Sequence, residues 1–592
     1  MGEKMKLRKM KKIISLVLIV VVLTSLLVSC KQVNEKKELQ QSFNEYMDQL
    51  FVEEFKDDAI SVNFYLKNPN VYGLENEGIN LNTLTKEEYD KSYTDTLTTL
   101  DYIKNNFTYE ELTKDQQLTF DIVTDNLSRS LFLKDFYYYQ TALGSYLGIN
   151  SQLPMLLSEL RFDTKNDIEN YFKALSLTKE CFESCVRLEK EKIEFGTSMP
   201  DFVLEKVVEQ CNSFIDNSEE IFLIPLINEK IDATAFLADD EKVEFKAQNV
   251  KLINEDFKNA YIYLRDECKL LVGKGTNQKS MYYLPEGKAY YQALFADSTG
   301  SDDTIEEAKI LLETKKNELI DELVALMSSN STLYDEVGNL SMTTNDAQTI
   351  VENYQDLIVG DFPEIPETNF EIYNIHESLQ GNASPAMYFL SPIDDNDVTE
   401  RIYLNPLSMD DTNYLFTTLG HEGYPGHLYQ HVYLKNSKLP DIRKLLNYTG
   451  YAEGWATYVE YYVLKYADGN KDAIEYRRII TQLQYAVLCL TDIGINYEGW
   501  DLETVQHYLD ELFIGADAKV VYEQMIEVPT NFMAYYYTLF EIERLKDTAI
   551  EELGTLYKDI DFHKAILDPG PAPLSIIEDS VNQYIESTLS KK

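Results

Sequence analysis

The sequence predicts a mainly α fold, large and helical, with one small antiparallel β region lying near a cluster of histidines. Three observations predict it. Glycine (24) and proline (16) are sparse for 592 residues, which favours long helices over a strand-and-turn architecture. Apolar residues make up 44% of the chain and aromatic residues 12%, enough to fill a large core and to exclude disorder despite the high charge. Helical spacing of apolar residues recurs along most of the chain, and proline-broken alternation is confined to one stretch near residues 363–408.

The N-terminal stretch comes first. Residues 1–29 combine a basic segment, KMKLRKMKK, with an apolar run from Ile13 to Ser29, and LVSC then closes on Cys30. This is the layout of a secretory signal. A cysteine at the cleavage point resembles the bacterial lipoprotein signal, in which Cys30 is lipidated and becomes the new N-terminus. The alternative is an uncleaved membrane anchor, for which the apolar run is short. Either way the body is expected outside the cytoplasmic membrane, attached to it through Cys30. Residues 30–40 are expected to be a short tether.

A helical N-terminal part is expected over 41–362. Phe43, Tyr46, Leu50, Phe51 and Phe55 fall on one side of a first helix. TKNDIENYFKALSLTKECFESCVRLEKEKIEF opens on a Thr/Asn/Asp cap signal and reads as a long helix. GTSMP is a break before the next one, and DDTIEEAKILLETKKNELIDELVALM gives a third. The five cysteines after Cys30 are odd in number and widely spread, so they form no disulfide framework. Cys181 and Cys185, four apart, are expected to pack within a helix.

Residues 363–592 are expected to form a second part that carries the chemistry. Short strands are expected around Tyr388 and Tyr403, paired antiparallel, before the chain returns to helix. The formal charge is −46, and the first 29 residues carry +5, which leaves −51 on the rest. Such a body repels nucleic acid and anionic membrane surfaces, so neither is an expected partner.

Three of the six histidines, His421, His427 and His431, lie within TTLGHEGYPGHLYQHVY, and Glu422 follows the first. Zinc takes nitrogen and carboxylate ligands in a tetrahedron, with one position open if it is catalytic. Two histidines four apart on a helix satisfy this, and a glutamate after the first can activate water. His421 and His427 are six apart. Six residues turn a straight helix through about 600° and leave the two side chains about 120° from eclipsed. The residues between them are Gly423, Tyr424, Pro425 and Gly426, which permit a break or bulge where the excess must be absorbed. His427 and His431 already have the four-residue offset, but no glutamate follows the first of them. Spacing alone leaves both pairs open. Glu453, in YAEGWATYVE, sits among small residues on a predicted helix, as a third ligand would. Glu460 lies two turns further along the same face and suits a supporting role.

HEGYPGHLYQ followed by YAEGWATYVE resembles the signature of a bacterial domain-of-unknown-function family regarded as candidate zinc peptidases, many of them lipoproteins. GTSMP, LPEGKAYYQALF, the strand region from Tyr388 to Asn405, VPTNFMAYYYTLFEIERL and DFHKAILDPGPAPLSIIEDSV are similar in the same order. The resemblance therefore spans most of the chain after the signal. It implies a helical, glutamate-zincin-like metallopeptidase that binds Zn2+ through His421, His427 and Glu453, with Glu422 as base. Gln430 falls on the family's glutamine, whereas His431 lies outside the signature and is expected near the metal but not on it. Thr538 and Lys546 stand where the family commonly has glycine and arginine.

The expected reaction is hydrolysis of peptide bonds, with oligopeptides as substrates. Tyr535 or His563 is expected to donate to the developing oxyanion. The strand at Tyr403 and Asn405 is expected to bind an extended substrate as an added strand. The competing class is a non-catalytic peptide-binding lipoprotein, which would have no need of Glu422.

Overall fold

The computed structural model describes residues 34–591, apart from 76, 82–83, 216–220, 331–332, 334–343, 345, 378–379, 381–383, 409–411 and 513–514. The signal, Cys30 and the start of the expected tether lie outside the described residues. A helix already occupies 34–53, so part of the stretch expected as a tether is helical.

Helices dominate. Helix α1 (Lys165–Phe195) starts where the cap signal places it. The Thr164 hydroxyl accepts from the Asp167 amide, and the Asp167 carboxylate closes the capping box. Gly196, at φ +89°, ends the helix. Helix α2 (Asp201–Ile215) follows the Gly-Pro break. Helix α3 (Ile305–Ser329) opens on a second capping box, Thr304 with Glu307, and packs along α7 (Lys471–Ile493). All five described cysteines are free and buried, Cys181 and Cys185 among them on α1, so they act as small apolar packing groups.

Buried apolar side chains gather in four clusters among the described residues. One belongs to the N-terminal helices between residues 60 and 271. The largest joins Ile122, Tyr291, Phe295 and the start of α3 to residues 350–585, so the central core draws on both sides of residue 362.

The β region is a three-stranded sheet in the order β1 (Phe370–Asn374), β3 (Glu400–Leu404), β2 (Ala386–Phe389). Strands β2 and β3 are antiparallel, with Tyr388 opposite Ile402. The antiparallel pairing expected of the Tyr388 and Tyr403 strands is present, and β1, parallel to β3 with Ile372 opposite Ile402, makes the sheet as a whole mixed. The long connection after β1 brings the chain back in the other direction for β2, and a hairpin-like return then supplies β3 between the two.

Behind the sheet lie the helices that carry the histidines. α4 (Thr412–Glu422) ends at Glu422, and α5 (His427–Lys435) begins at His427. α6 (Thr449–Tyr462) packs against α4. A π-type turn, Met533–Tyr537, leads into α8 (Thr538–Leu553), and both press on α6. Helix α9 (Asp559–Leu567) carries His563.

Candidate metal centre

The insert between His421 and His427 is the local feature that builds the site. The chain leaves α4 at Glu422, passes Gly423 to Gly426 with a cis Tyr424–Pro425 peptide, and re-enters a helix at His427. The Tyr429 amide reaches back to the Gly423 carbonyl at 3.2 Å. A Cβ on Gly426 would lie 1.7 Å from the His421 carbonyl oxygen, so only glycine lets the two helix ends come this close. Trp455, fully buried, donates its indole N–H to the Pro425 carbonyl at 3.0 Å. The tryptophan of the EGWA motif thereby pins the insert from α6.

This geometry brings the histidine rings of 421 and 427 to a centroid distance of 4.8 Å, nearly perpendicular. Both Nε2 atoms face Glu453 Oε2, at 3.5 Å from His421 and 3.3 Å from His427. One ligand atom from each of the three residues lies within 4.8 Å of the others. Glu453 Oε2 is buried and has no hydrogen-bond partner, an orphaned acceptor aimed at two ring nitrogens. Glu460 Oε2 stands 3.3 Å from His421 Nδ1. That contact fixes the ring with Nε2 forward, the usual role of an outer carboxylate behind a metal-ligating histidine. Two imidazoles and a carboxylate converging on one point fit Zn2+.

The electrostatics agree with a cluster that needs positive charge. Burial works against a charged His421, but the Glu453 and Glu460 carboxylates beside it outweigh burial and hold the ring well above the usual histidine range. Burial would raise Glu453, yet His427 and His421 together pull it below the usual carboxylate range. The carboxylates around His421 thus favour positive charge where a cation would sit.

Glu422 is buried beside the cluster, and its Oε2 accepts the Tyr388 backbone N–H at 2.6 Å. The amide comes from the outer edge of β2, and the sequence reading did not foresee it. The Tyr535 ring lies nearly parallel to that of His421, 6.3 Å away. Burial, reinforced by the Glu453 and Glu422 carboxylates, raises its hydroxyl above the usual tyrosine range, which keeps it protonated as a donor. Of its neighbours, Tyr536 stacks on Tyr485 at 3.6 Å, and Tyr537 donates to Asp303 at 2.5 Å.

Three expected site residues, His563, Tyr403 and Asn405, sit elsewhere. His563 is fully buried. Its Nδ1 meets the Asp361 carbonyl at 2.7 Å, and its Nε2 meets the Tyr458 hydroxyl at 2.8 Å. Both ring nitrogens are used, so His563 ties α9 to α6 and has no donor left for an oxyanion. Lys546 donates to the other side of the Tyr458 hydroxyl at 2.9 Å. Tyr403 and Asn405 cannot receive an added strand, because β3 is the middle strand and both of its edges are paired. The Tyr403 hydroxyl donates to Glu159 at 3.0 Å, and the buried Asn405 amide donates to the Gln380 carbonyl at 2.8 Å. The strand with an outer edge facing Glu422 is β2.

His431 is buried with its Nε2 at 2.8 Å from the Ser391 carbonyl, and burial lowers it to about 4. Gln430 reaches the Tyr451 carbonyl at 3.4 Å and so links α5 to α6. Thr538 packs on Gly454, where a Cβ would lie 2.4 Å from Thr538 Cγ2. The helix carrying Glu453 thus lies close against α8.

A cavity of about 930 Å³ opens beside the site. Its wall includes Met387 and Phe389 of β2 and Tyr535, with the N-terminal helices opposite.

A mainly helical protein in which two histidines and a glutamate converge beside a buried acid is the class that fold and site define. The chain belongs to the family described as "Bacterial protein of unknown function (DUF885)", whose model matches residues 72–581. No curated protein matches it. Among solved structures it is similar to one described as a "putative lipoprotein" of Colwellia psychrerythraea, with a TM-score of 0.79 and 16% identity over 93% of this chain and 99% of that one. It is also similar to a "putative lipoprotein of unknown function" of Shewanella oneidensis, with a TM-score of 0.63 and 14% identity over 90% and 99%. At these identities the likeness concerns the fold.

Proposed function

We propose that the protein is a zinc-dependent peptidase that hydrolyses oligopeptides outside the cytoplasmic membrane, to which it is held by a lipid on Cys30. One observation carries the reading. His421, His427 and Glu453 present converging ligand atoms around an orphaned buried carboxylate oxygen, and a second buried glutamate, Glu422, is fixed beside them. A receptor that only binds peptides has no use for that second acid. The N-terminal segment ending in LVSC supports the anchor, as do the names given to the two solved neighbours. Among the described residues no helix is long and apolar enough to cross a membrane.

His421, His427 and Glu453 would hold the ion, with Glu460 orienting His421. When bound, Zn2+ supplies the electrophile that activates water and the scissile carbonyl. The work of the chain is the rest. Glu422 takes the proton of the attacking water and returns it to the leaving amine. The Tyr388 amide holds one carboxylate oxygen of Glu422 and leaves the other to act. Tyr535 offers its hydroxyl to the developing oxyanion. An extended substrate runs along the outer edge of β2, where strand alternation puts the Ala386 backbone groups and the Tyr388 carbonyl, the Tyr388 amide being held by Glu422.

The test is zinc content of the purified full chain, followed by exposure to a peptide library read by mass spectrometry. Stoichiometric zinc and cleavage abolished by Glu422→Gln are expected. Cleavage that survives this substitution would overturn the mechanism. His427→Ala should lose the ion and His431→Ala keep it, because the His431 ring is buried with its Nε2 engaged by the Ser391 carbonyl.

A further inference from the structure

The cavity beside β2 is poor in charge in a chain that is rich in it. Lys206 and Glu209 are the charged residues of its described lining, whereas charged residues make up 26% of the sequence. Lys206 is not a free cation. Its Nζ lies 3.2 Å from Glu523 and 3.8 Å from Glu527, and it also sits over the Phe202 and Tyr146 rings. Counting those two partners, the acids around the cavity outnumber the one lysine. Aromatic rings come from both sides: Phe214, Phe222 and Tyr261 from the N-terminal helices, and Phe389, Phe532 and Tyr535 from the side of the metal centre. Met387 and Phe389 are two apart on β2 and so share a face, and that face lines the cavity. Tyr388 between them gives its amide to Glu422. The same short strand therefore touches the base through its edge and the cavity through its alternate side chains.

We propose that this cavity is the specificity pocket of the site, that it takes aromatic or large apolar side chains of an extended peptide, and that it excludes carboxylates, a C-terminal carboxylate included. The proposal rests on the peptidase reading and goes beyond it by naming the substrate class. A carboxylate entering this space would give up water without finding a free cation and would face Glu209, Glu523 and Glu527. An aromatic ring would exchange water for the cavity's own rings. With no free cation among the described residues of its lining to hold a peptide's terminal carboxylate, the pocket reads internal residues, and cleavage there is endopeptidic.

The experiment uses the full chain in detergent and blocked decapeptides identical except for Phe or Asp at one swept position. In the zinc-loaded protein, kcat/KM for the Phe peptide should exceed that for the Asp peptide by about tenfold or more at the best position. Amidating the C-terminus should leave the preferred bond unchanged. Met155→Lys and, separately, Ser213→Lys each add a cation to the wall and should narrow the Phe/Asp ratio at least about threefold. A ratio near one in the wild type overturns the proposal, as does a ratio that neither folded variant moves. The second arm is fluorescence anisotropy of labelled peptides on Glu422→Gln, which reads binding without turnover. Tighter binding of the Phe peptide supports the pocket even if no cleavage is ever seen, in which case the peptidase reading alone fails. Equal binding of the two peptides removes the pocket whatever the enzyme does.

Discussion

Gly426 is a position where one added carbon would disturb the site directly. A methyl group there would lie 1.7 Å from the His421 carbonyl oxygen, and backbone cannot swing aside as a side chain can. Relief requires His421 and His427 to move apart, yet both Nε2 atoms must reach one point with Glu453. Gly426→Ala is therefore expected to weaken zinc binding by about 10–100-fold, the range seen when ligand orientation is disturbed. Competition with a chelator of known affinity would measure it. Unchanged affinity in a variant that melts like the wild type would show that the insert can absorb the carbon. This part of the site was legible in the sequence. Pro425 and the two glycines stand between histidines that a straight helix would misalign, and a break is what the spacing requires. His563 was not legible. What occupies its nitrogens is a hydroxyl on α6 and a carbonyl at residue 361, neither of which any local pattern points to.

At the scale of elements, the strand that faces Glu422 is positioned from behind by a buried polar group. The Tyr388 hydroxyl donates to Glu400 Oε2 at 2.6 Å, and Glu400 Oε1 meets Lys435 Nζ at 2.5 Å. Lys435 also donates to the Ser391 hydroxyl, whose own carbonyl holds His431. Strands β2 and β3 are thus tied to α5, the helix that begins with His427. Glu400 is fully buried, and the Lys435 side chain is only 3% exposed, so loss of one partner strands a charge in the interior. Glu400→Gln is expected to destabilise the protein by about 3–5 kcal/mol, whereas exchanging both residues for apolar ones of similar volume should cost much less. Denaturant unfolding of the single and double variants would separate the two, and equal losses would mean that packing, not charge, governs the site. Helix positions such as α1 and α3 were readable because their caps and apolar spacing are local. That β3 lies in the middle of the sheet was not, since strand order depends on which edges meet in space. The choice of Tyr403 and Asn405 as a substrate edge failed for that reason.

For the whole molecule, the groups whose proton affinity departs most from the unfolded value within an accessible pH range are two histidines and one aspartate. Burial lowers His431 to about 4 and His563 to about 3, against about 6.5 unfolded. A histidine with a lowered folded value contributes stability above the unfolded pKa and loses it as pH falls towards the folded one. Asp492 acts in the opposite sense. Burial raises it to about 7, while Asn496 and the Thr530 amide bond its carboxylate. Its neutral form fits the fold, so its contribution is complete at low pH and declines as pH rises from about 4 to about 7. Each group shifts stability by about 1.4 kcal/mol per pH unit where only one state holds the proton. Between pH 6 and 5 these two histidines contribute a loss of stability on acidification, and Asp492 contributes a gain. Asp492→Asn removes the opposing group, so its denaturation midpoint should fall more steeply than that of the wild type as pH drops from 6 to 5. The comparison needs only denaturant midpoints of the two metal-free proteins at three pH values. A variant whose slope is the same or shallower would show that Asp492 is already ionised in the folded state at these pH values.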